Sequence, residues 1–237
     1  MNILIALFTG ITGAVVHVLS GPDHLAAVIP FAIEEKRKSW RIGFAWGLGH
    51  LTGMLSIGFL FYLLKQNINI ESISSSSELI VGIILIGIGM WAIAKALGFG
   101  LSKKHWHLHI NKTAFVHKHD GDIHHPGGDH AKDTKPKKIS NSMSAFYIGT
   151  IHGFAGIAHF ILFLPILGFH DAIQIISYIA GFAIGTIIAM LVFALILGQI
   201  SFRVSSGKEQ THAFKILRLS SGVLAMGIGI YWIVESL

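Results

Sequence analysis

Long apolar runs constrain this chain more than any other feature of its sequence. The first extends from about residue 3 to residue 33 and contains a single carboxylate, Asp23. A continuous helix of roughly 31 residues would measure about 46 Å, whereas the apolar layer of a bilayer is about 30 Å thick. The run also contains Gly21-Pro22, and proline both removes a backbone donor and clashes with the preceding helical turn. We therefore predict a broken transmembrane helix with its break near mid-membrane.

Five further apolar runs extend this interpretation to the whole chain. They cover about residues 42–64, 79–100, 142–168, 172–200 and 216–234. The composition agrees, because 52% of the 237 residues are hydrophobic and 13% are charged, unlike an ordinary soluble domain. We predict an all-α membrane protein with six transmembrane helices. We expect no cleaved signal peptide, since the first run has no basic leader.

The two halves of the chain share a pattern of residues. Four positions in the first run recur at the same spacing in the fourth, where His17, Gly21, His24 and Pro30 become His152, Gly156, His159 and Pro165. Glycine patterns of the second and third runs recur in the fifth and sixth. A repeat of three spans must lie inverted in the membrane, as in many secondary transporters. We predict two inverted three-helix repeats, residues 1–100 and 142–237, with the first helix of each broken near mid-membrane.

The segment between the halves, residues 101–141, has a different composition. It is polar and rich in histidine, containing His105, His107, His109, His117, His119, His124, His125 and His130. We interpret it as a low-complexity loop, disordered without metal, that binds divalent metal through neutral imidazoles. The first, third and fifth connections between spans are rich in Lys and Arg. The positive-inside rule therefore predicts a cytoplasmic loop and both termini outside.

Polar residues within the apolar runs predict a site for a divalent metal ion. An ionisable group at mid-bilayer is costly and rare without a partner or a task. His17 and His24 flank Asp23 in the first run, and His50 lies in the second. The chain has no cysteine, so its ligands must be imidazole, carboxylate, hydroxyl or backbone groups, which suit Ni, Co or Zn. The alternative is a buried Asp–His pair that only locks two helices together.

The histidines of the second half admit two interpretations. His152 and His159 are either transient metal ligands on the exit path or remnants of the repeat that hold the helix break. Asp23 and His50 have no polar counterpart in the second half, where Ala158 and Ile188 take their places. We therefore place the main ligands in the first half.

The segment from His17 to Asp23-His24, followed by Leu48-Gly49-His50, resembles the nickel/cobalt transporter (NiCoT) family. The stretch Gly-Pro-Asp-His-Leu-Ala-Ala-Val is most similar to the shorter relatives of the urease-accessory (UreH) type. The resemblance implies transport of Ni²⁺ or Co²⁺, with His17 and Asp23-His24 as essential residues. The chain departs from the family pattern in two ways: one extra residue separates His17 from Asp23-His24, and the predicted spans are fewer than in typical members.

These observations predict a secondary transporter that takes up Ni²⁺ or Co²⁺, with Zn²⁺ as a further candidate, through His17, Asp23, His24 and His50. We expect no enzymatic activity, no cofactor besides the transported ion, and a location in the bacterial plasma membrane. The predicted partners are the ion, membrane lipid and a cytoplasmic metal-accepting protein. The formal charge of +6 lies in the connections, so we attribute it to topology rather than to nucleic acid. The alternatives are efflux by the same architecture, a membrane-anchored metal sensor, and a membrane-embedded metalloenzyme.

Overall fold

A computed structural model describes residues 3–64, 70–99, 106–111, 113–118, 140–154, 168–169, 171–205 and 212–236. In this part of the chain five helices are long and apolar enough to cross a membrane, over residues 3–20, 40–59, 78–96, 172–205 and 212–235. Large apolar side chains cover their outward faces. The protein is therefore an integral membrane protein whose spanning segments are helical.

The first apolar run is broken where the sequence predicts. Helix α1 covers Ile3–Ser20 and helix α2 covers Pro22–Glu35. Between them Gly21 adopts φ −88° and ψ 98°, which is an extended conformation. Its N–H still donates to the carbonyl of His17 at 3.1 Å. Proline is tolerated at the first position of α2 because that residue needs no intrahelical donor.

The remaining helices follow the other apolar runs with some changes of boundary. They are α3 (Trp40–Leu64), α4 (Ile70–Ala96), α5 (Asn141–Phe154), α6 (Ala172–Ser205) and α7 (His212–Glu235), and a short 3-10 helix, Lys36–Lys38, precedes α3. The apolar runs leave residues 65–78 as a connection, but its serine-rich part, residues 70–78, forms the first turns of α4. Serine has only a weak preference against helix, and the following apolar run propagates the helix backwards. The second part of the fourth run, residues 155–167, lies outside the described residues.

Part of the histidine-rich segment forms a β-hairpin, which corrects the expectation of a loop without regular structure. Strand β1 (Trp106–Asn111) pairs antiparallel with β2 (Thr113–Lys118), and His107 lies opposite His117. Polar and apolar residues alternate along Trp-His-Leu-His-Ile-Asn, which is the period of a strand. An interpretation based on composition alone overlooked this period. Apart from short connections, the hairpin is the one part of the described chain that is not helical.

Three pairs of helices account for most of the packing: α1 with α6, α3 with α5, and α4 with α7. Glycines bring the paired backbones close together. A Cβ on Gly153 of α5 would lie 2.3 Å from the carbonyl oxygen of His50 on α3. A Cβ on Gly89 of α4 would lie 2.6 Å from the carbonyl oxygen of Gly222 on α7. Small residues at such positions allow the close helix approach that is common in membranes.

Helix α2 lies among the other helices, and its last turn is bonded to several of them. Glu34 forms ion pairs with Arg218 of α7 and Lys95 of α4, and the Arg218 Nη2 donates to Glu34 Oε2 at 2.9 Å. The residues on either side of Glu34 accept two more hydrogen bonds. Asn141 Nδ2 donates to Glu35 Oε1 and Ser201 Oγ donates to Ile33 O, both at 2.7 Å. The end of this short helix is thus fixed by side chains of α4, α5, α6 and α7.

Candidate metal site

The break between α1 and α2 brings three polar side chains together. Asp23 and His24 lie in the first turn of α2, are both buried, and contact each other through Asp23 Oδ1 and His24 Nδ1 at 3.0 Å. His17 lies in the last turn of α1, and its Nε2 is 3.1 Å from His24 Nε2. The two ring nitrogens of His24 therefore face a carboxylate on one side and a second imidazole on the other.

Two further imidazoles come from α3 and α5. His152 of α5 is buried, with its Nε2 3.0 Å from Asp23 Oδ2. His50 of α3 is also buried, and its ring centroid lies 5.1 Å from that of His24 and 5.8 Å from that of His17. The cluster thus contains one carboxylate and four imidazoles from four helices.

The donor atoms form two overlapping groups that suit a metal ion. One group consists of His17, His24 and His50, the other of Asp23, His24 and His152, and the donor atoms within each lie no more than 4.8 Å apart. Ligand atoms around one transition-metal ion, each about 2.1 Å from it, lie about 3 Å apart, close to the observed contacts. Imidazole and carboxylate donors suit Ni²⁺, Co²⁺ and Zn²⁺.

The structure brings together all four residues that the sequence favoured as ligands, namely His17, Asp23, His24 and His50. It adds His152, which the sequence left between two interpretations, by placing it against Asp23. That metal binds to these residues stays a prediction. His159 lies outside the described residues, as do His105, His119, His124, His125 and His130 of the histidine-rich segment. His107, His109 and His117 lie on the strands of the hairpin.

Sequence reasoning missed Trp46. This residue of α3 is fully buried, and its indole ring stacks on the ring of His50 with a centroid distance of 4.8 Å and an interplanar angle of 13°. It also lies 5.3 Å from the ring of His24 and 5.6 Å from that of His152. The available signal was spacing, because residues four apart on a helix share a face.

A structural role alone explains this cluster poorly. An Asp–His pair that locks two helices needs one imidazole, and the contact between Asp23 and His152 already links α2 to α5. His17 and His50 contribute further imidazoles to the same place. Polar groups inside a membrane bundle are expensive, so a surplus of them at one point indicates function.

Fold and cluster together define a class: a polytopic membrane protein with a candidate metal site at the break of a transmembrane helix. Over residues 5–231 the chain matches the family described as "Cytochrome C biogenesis protein transmembrane region". The match covers nearly the whole chain. The chain therefore belongs to this family of membrane proteins, and UreH-type urease accessory proteins are among its relatives.

Three curated relatives show how far these similarities extend. The urease accessory protein UreH of Bacillus sp. (strain TB-90) is 33% identical over 215 residues, which cover 90% of this chain and 84% of that protein. Chloroplast protein FOR GROWTH AND FERTILITY 2 of Arabidopsis thaliana is 31% identical over 235 residues, and protein FOR GROWTH AND FERTILITY 1 is 29% identical over 228. These alignments cover 99% and 96% of this chain but only 57% and 58% of the Arabidopsis proteins. No solved structure matches the chain.

Proposed function

We propose that this chain is a secondary transporter that moves Ni²⁺ or Co²⁺ across the membrane, in the direction of uptake. The observation that carries the proposal is the cluster at the helix break. The cluster contains four imidazoles and Asp23, which is the one buried carboxylate in the part of the chain that the structure describes. A divalent ion at this depth needs both negative charge and nitrogen donors, and the cluster offers both without a thiolate.

The pattern of helix packing supports an inverted repeat, which is the architecture that alternating access requires. In this repeat α1, α3 and α4 correspond to α5, α6 and α7. The contact between α1 and α6 is therefore equivalent to the contact between α5 and α3, and the contact between α4 and α7 is equivalent to itself. The glycines agree with this correspondence. Gly82 meets Gly229 and Gly89 meets Gly222, and the sequence repeat equates Gly82 with Gly222 and Gly89 with Gly229.

The identity of the ion rests on resemblance. The motif from His17 to His50 resembles the nickel/cobalt transporter family, and one relative is named a urease accessory protein. The family description mentions cytochrome c biogenesis instead. Thiol–disulfide exchange requires cysteine, and this chain has none. Its own side chains therefore favour metal transport over thiol exchange.

Uptake of radiolabelled Ni²⁺ by cells that express the protein tests the proposal, with Co²⁺ and Zn²⁺ as competitors. We expect Asp23→Asn to abolish uptake. Glu34→Gln is the matched control, because it makes the same change from carboxylate to amide on the same helix but away from the imidazoles. Equal uptake by the parent and by Asp23→Asn would contradict the proposal. Lower accumulation of Ni²⁺ than in cells without the protein would indicate efflux.

The histidine-rich segment has a separate role in this proposal: it buffers metal in the cytoplasm or delivers it to a metal-accepting protein. Deleting residues 105–130 should therefore leave substantial uptake. Complete loss of uptake at normal protein levels would contradict this division. Metal binding confined to this segment, with no transport, would instead indicate a sensor.

The proposed orientation places both termini outside a bacterial plasma membrane and the histidine-rich segment inside. The chain contains no cysteine, so single introduced thiols report their own accessibility. An impermeant thiol reagent added to intact cells should label Ser74→Cys and leave Lys132→Cys unlabelled. The reverse pattern would overturn the orientation.

A further inference from the structure

Trp46 has surroundings that ordinary core packing does not account for. One face of its indole lies nearly parallel to the ring of His50, and the rings of His24 and His152 lie within 5.3 Å and 5.6 Å of it at tilted angles. The residue also belongs to a hydrophobic cluster that includes Val18 and Phe31. Trp46 therefore forms the boundary between the apolar interior of the bundle and three of the four imidazoles.

The indole N–H of Trp46 provides a second, independent observation. Its Nε1 is inaccessible to solvent and has no hydrogen-bond partner among the described residues. A buried tryptophan N–H usually finds an acceptor, because an unmade hydrogen bond in a dry interior is costly. A donor left open beside a cluster of metal-ligating groups is suited to an oxygen atom that enters the cluster with its cargo.

The sequence repeat offers an internal comparison. Gly43-Phe44-Ala45-Trp46-Gly47 corresponds to Gly181-Phe182-Ala183-Ile184-Gly185, so Ile184 occupies the position of Trp46 in the second half. Ile184 is 46% exposed on the outward side of α6. The indole is thus found only in the half that carries Asp23 and His50. A role tied to the cluster explains this distribution, whereas a general need for a large side chain does not.

We propose that Trp46 positions His50 and determines which ions the site accepts. The inference rests on the proposed metal site and deepens it. The indole face holds the imidazole ring of His50 in one orientation and occupies the space where additional water would coordinate the ion. The N–H is free to donate to an oxygen atom that enters with the ion, such as a retained water molecule. Ions that keep several waters, such as Mg²⁺, are thereby excluded, whereas ions that exchange water for imidazole are accepted.

The visible absorption spectrum of bound Co²⁺ tests this role, because its intensity reports coordination number. The protein is purified without residues 105–130, so that only the membrane site contributes. We expect Trp46→Leu to weaken Co²⁺ binding about tenfold, the scale of outer-shell changes at metal sites, and to reduce the absorption as water enters. Trp46→Phe keeps an aromatic face against His50 and should restore most of the affinity. Phe31→Leu is the matched control, since it alters the same hydrophobic cluster without touching an imidazole.

Fluorescence provides a measurement that does not depend on how well Trp46→Leu folds. Bound Co²⁺ should quench the emission of Trp46. Addition of Co²⁺ should therefore reduce the emission of the parent and of Trp91→Phe. The same addition should reduce the emission of Trp46→Phe much less. Parental affinity and an unchanged Co²⁺ spectrum in Trp46→Leu would overturn the inference and leave the metal site standing. Absence of Co²⁺ binding in the parent would instead overturn the proposed site itself.

Discussion

The two ends of α2 each carry a carboxylate that meets side chains from other helices, but the partners differ in chemistry. At the first turn Asp23 contacts His24 and His152. At the last turn Glu34 contacts Arg218 and Lys95. One short helix thus places one acidic group among imidazoles and another among permanent cations.

The partners determine what each carboxylate can do. Arginine and lysine keep their positive charge at physiological pH and have no lone pair to donate to a metal, so the Glu34 ion pairs are complete in themselves. A neutral imidazole has a free lone pair and leaves the charge of Asp23 available. A buried carboxylate therefore indicates a cation site when its neighbours can act as ligands, and a structural contact when they are already cations.

Removing each charge in turn gives the largest expected difference. Asp23→Asn keeps the size of the side chain and one oxygen donor but removes the charge that offsets half of a divalent ion. We expect it to weaken Ni²⁺ binding by at least about 100-fold, beyond the usual effect of an outer-shell change. Glu34→Gln should bind Ni²⁺ like the parent. Isothermal titration of protein lacking residues 105–130 measures both, and equal affinities for the two variants would remove the distinction between the ends.

Acidification should also separate the two ends. Imidazoles bind metal only when deprotonated, so Ni²⁺ affinity should fall as the pH is lowered and recover as the pH rises. The Glu34 ion pairs involve no imidazole. The loss of thermal midpoint caused by Glu34→Gln should therefore be about the same at pH 5.5 and at pH 8. Titrations across this range measure the first effect and melting curves in detergent the second; constant Ni²⁺ affinity would exclude histidine ligands.

The stability of the two variants should show the opposite order from their metal binding. Glu34→Gln leaves Arg218, whose side chain is only 13% exposed, without its carboxylate partner. Such a loss costs about 1–3 kcal/mol. Asp23→Asn leaves imidazoles that can remain neutral, so it should not lower stability. Denaturation midpoints in one detergent compare the two, and a larger loss for Asp23→Asn would make Asp23 the structural residue.

The smallest effect should come from the other partner of Glu34. The side chain of Lys95 is 38% exposed, so water replaces its carboxylate partner when the pair is broken. We expect Lys95→Gln to cost about 0–1 kcal/mol, as exposed ion pairs usually do, and less than Arg218→Gln. The same melting curves measure this difference. An equal loss from both variants would show that the two cations hold Glu34 together as one unit.

The Asp23 end of α2 could be predicted from local signals in the sequence. Proline after glycine predicted the break at Gly21, and a lone carboxylate between histidines predicted the cluster around Asp23. His50 was recognisable because an ionisable residue inside an apolar run needs a reason. Each of these inferences depended on residues close together in the chain, and the structure agrees with each in position.

The contacts of His152, Glu34 and Trp46 could not be predicted in this way, because they depend on packing between distant segments. The contact between Asp23 and His152 exists because α2 and α5 pack together, which no local pattern encodes. Glu34 begins a charged stretch that looks like the start of a loop, yet its partner Arg218 is 184 residues away. Trp46 was overlooked because tryptophan in an apolar run usually packs or anchors at an interface. Its role depends on its neighbours in space rather than on its own chemistry.

The break at Gly21 has an electrostatic consequence beyond bending the chain. A helix carries about half a positive charge at its N-terminus and half a negative charge at its C-terminus. Because α1 ends where α2 begins, the negative end of one dipole and the positive end of the next meet beside the cluster. The positive end of α2 favours the negative charge of Asp23, and the negative end of α1 attracts a cation toward His17. In a continuous helix both ends would lie at the membrane surfaces, and neither charge would reach the site.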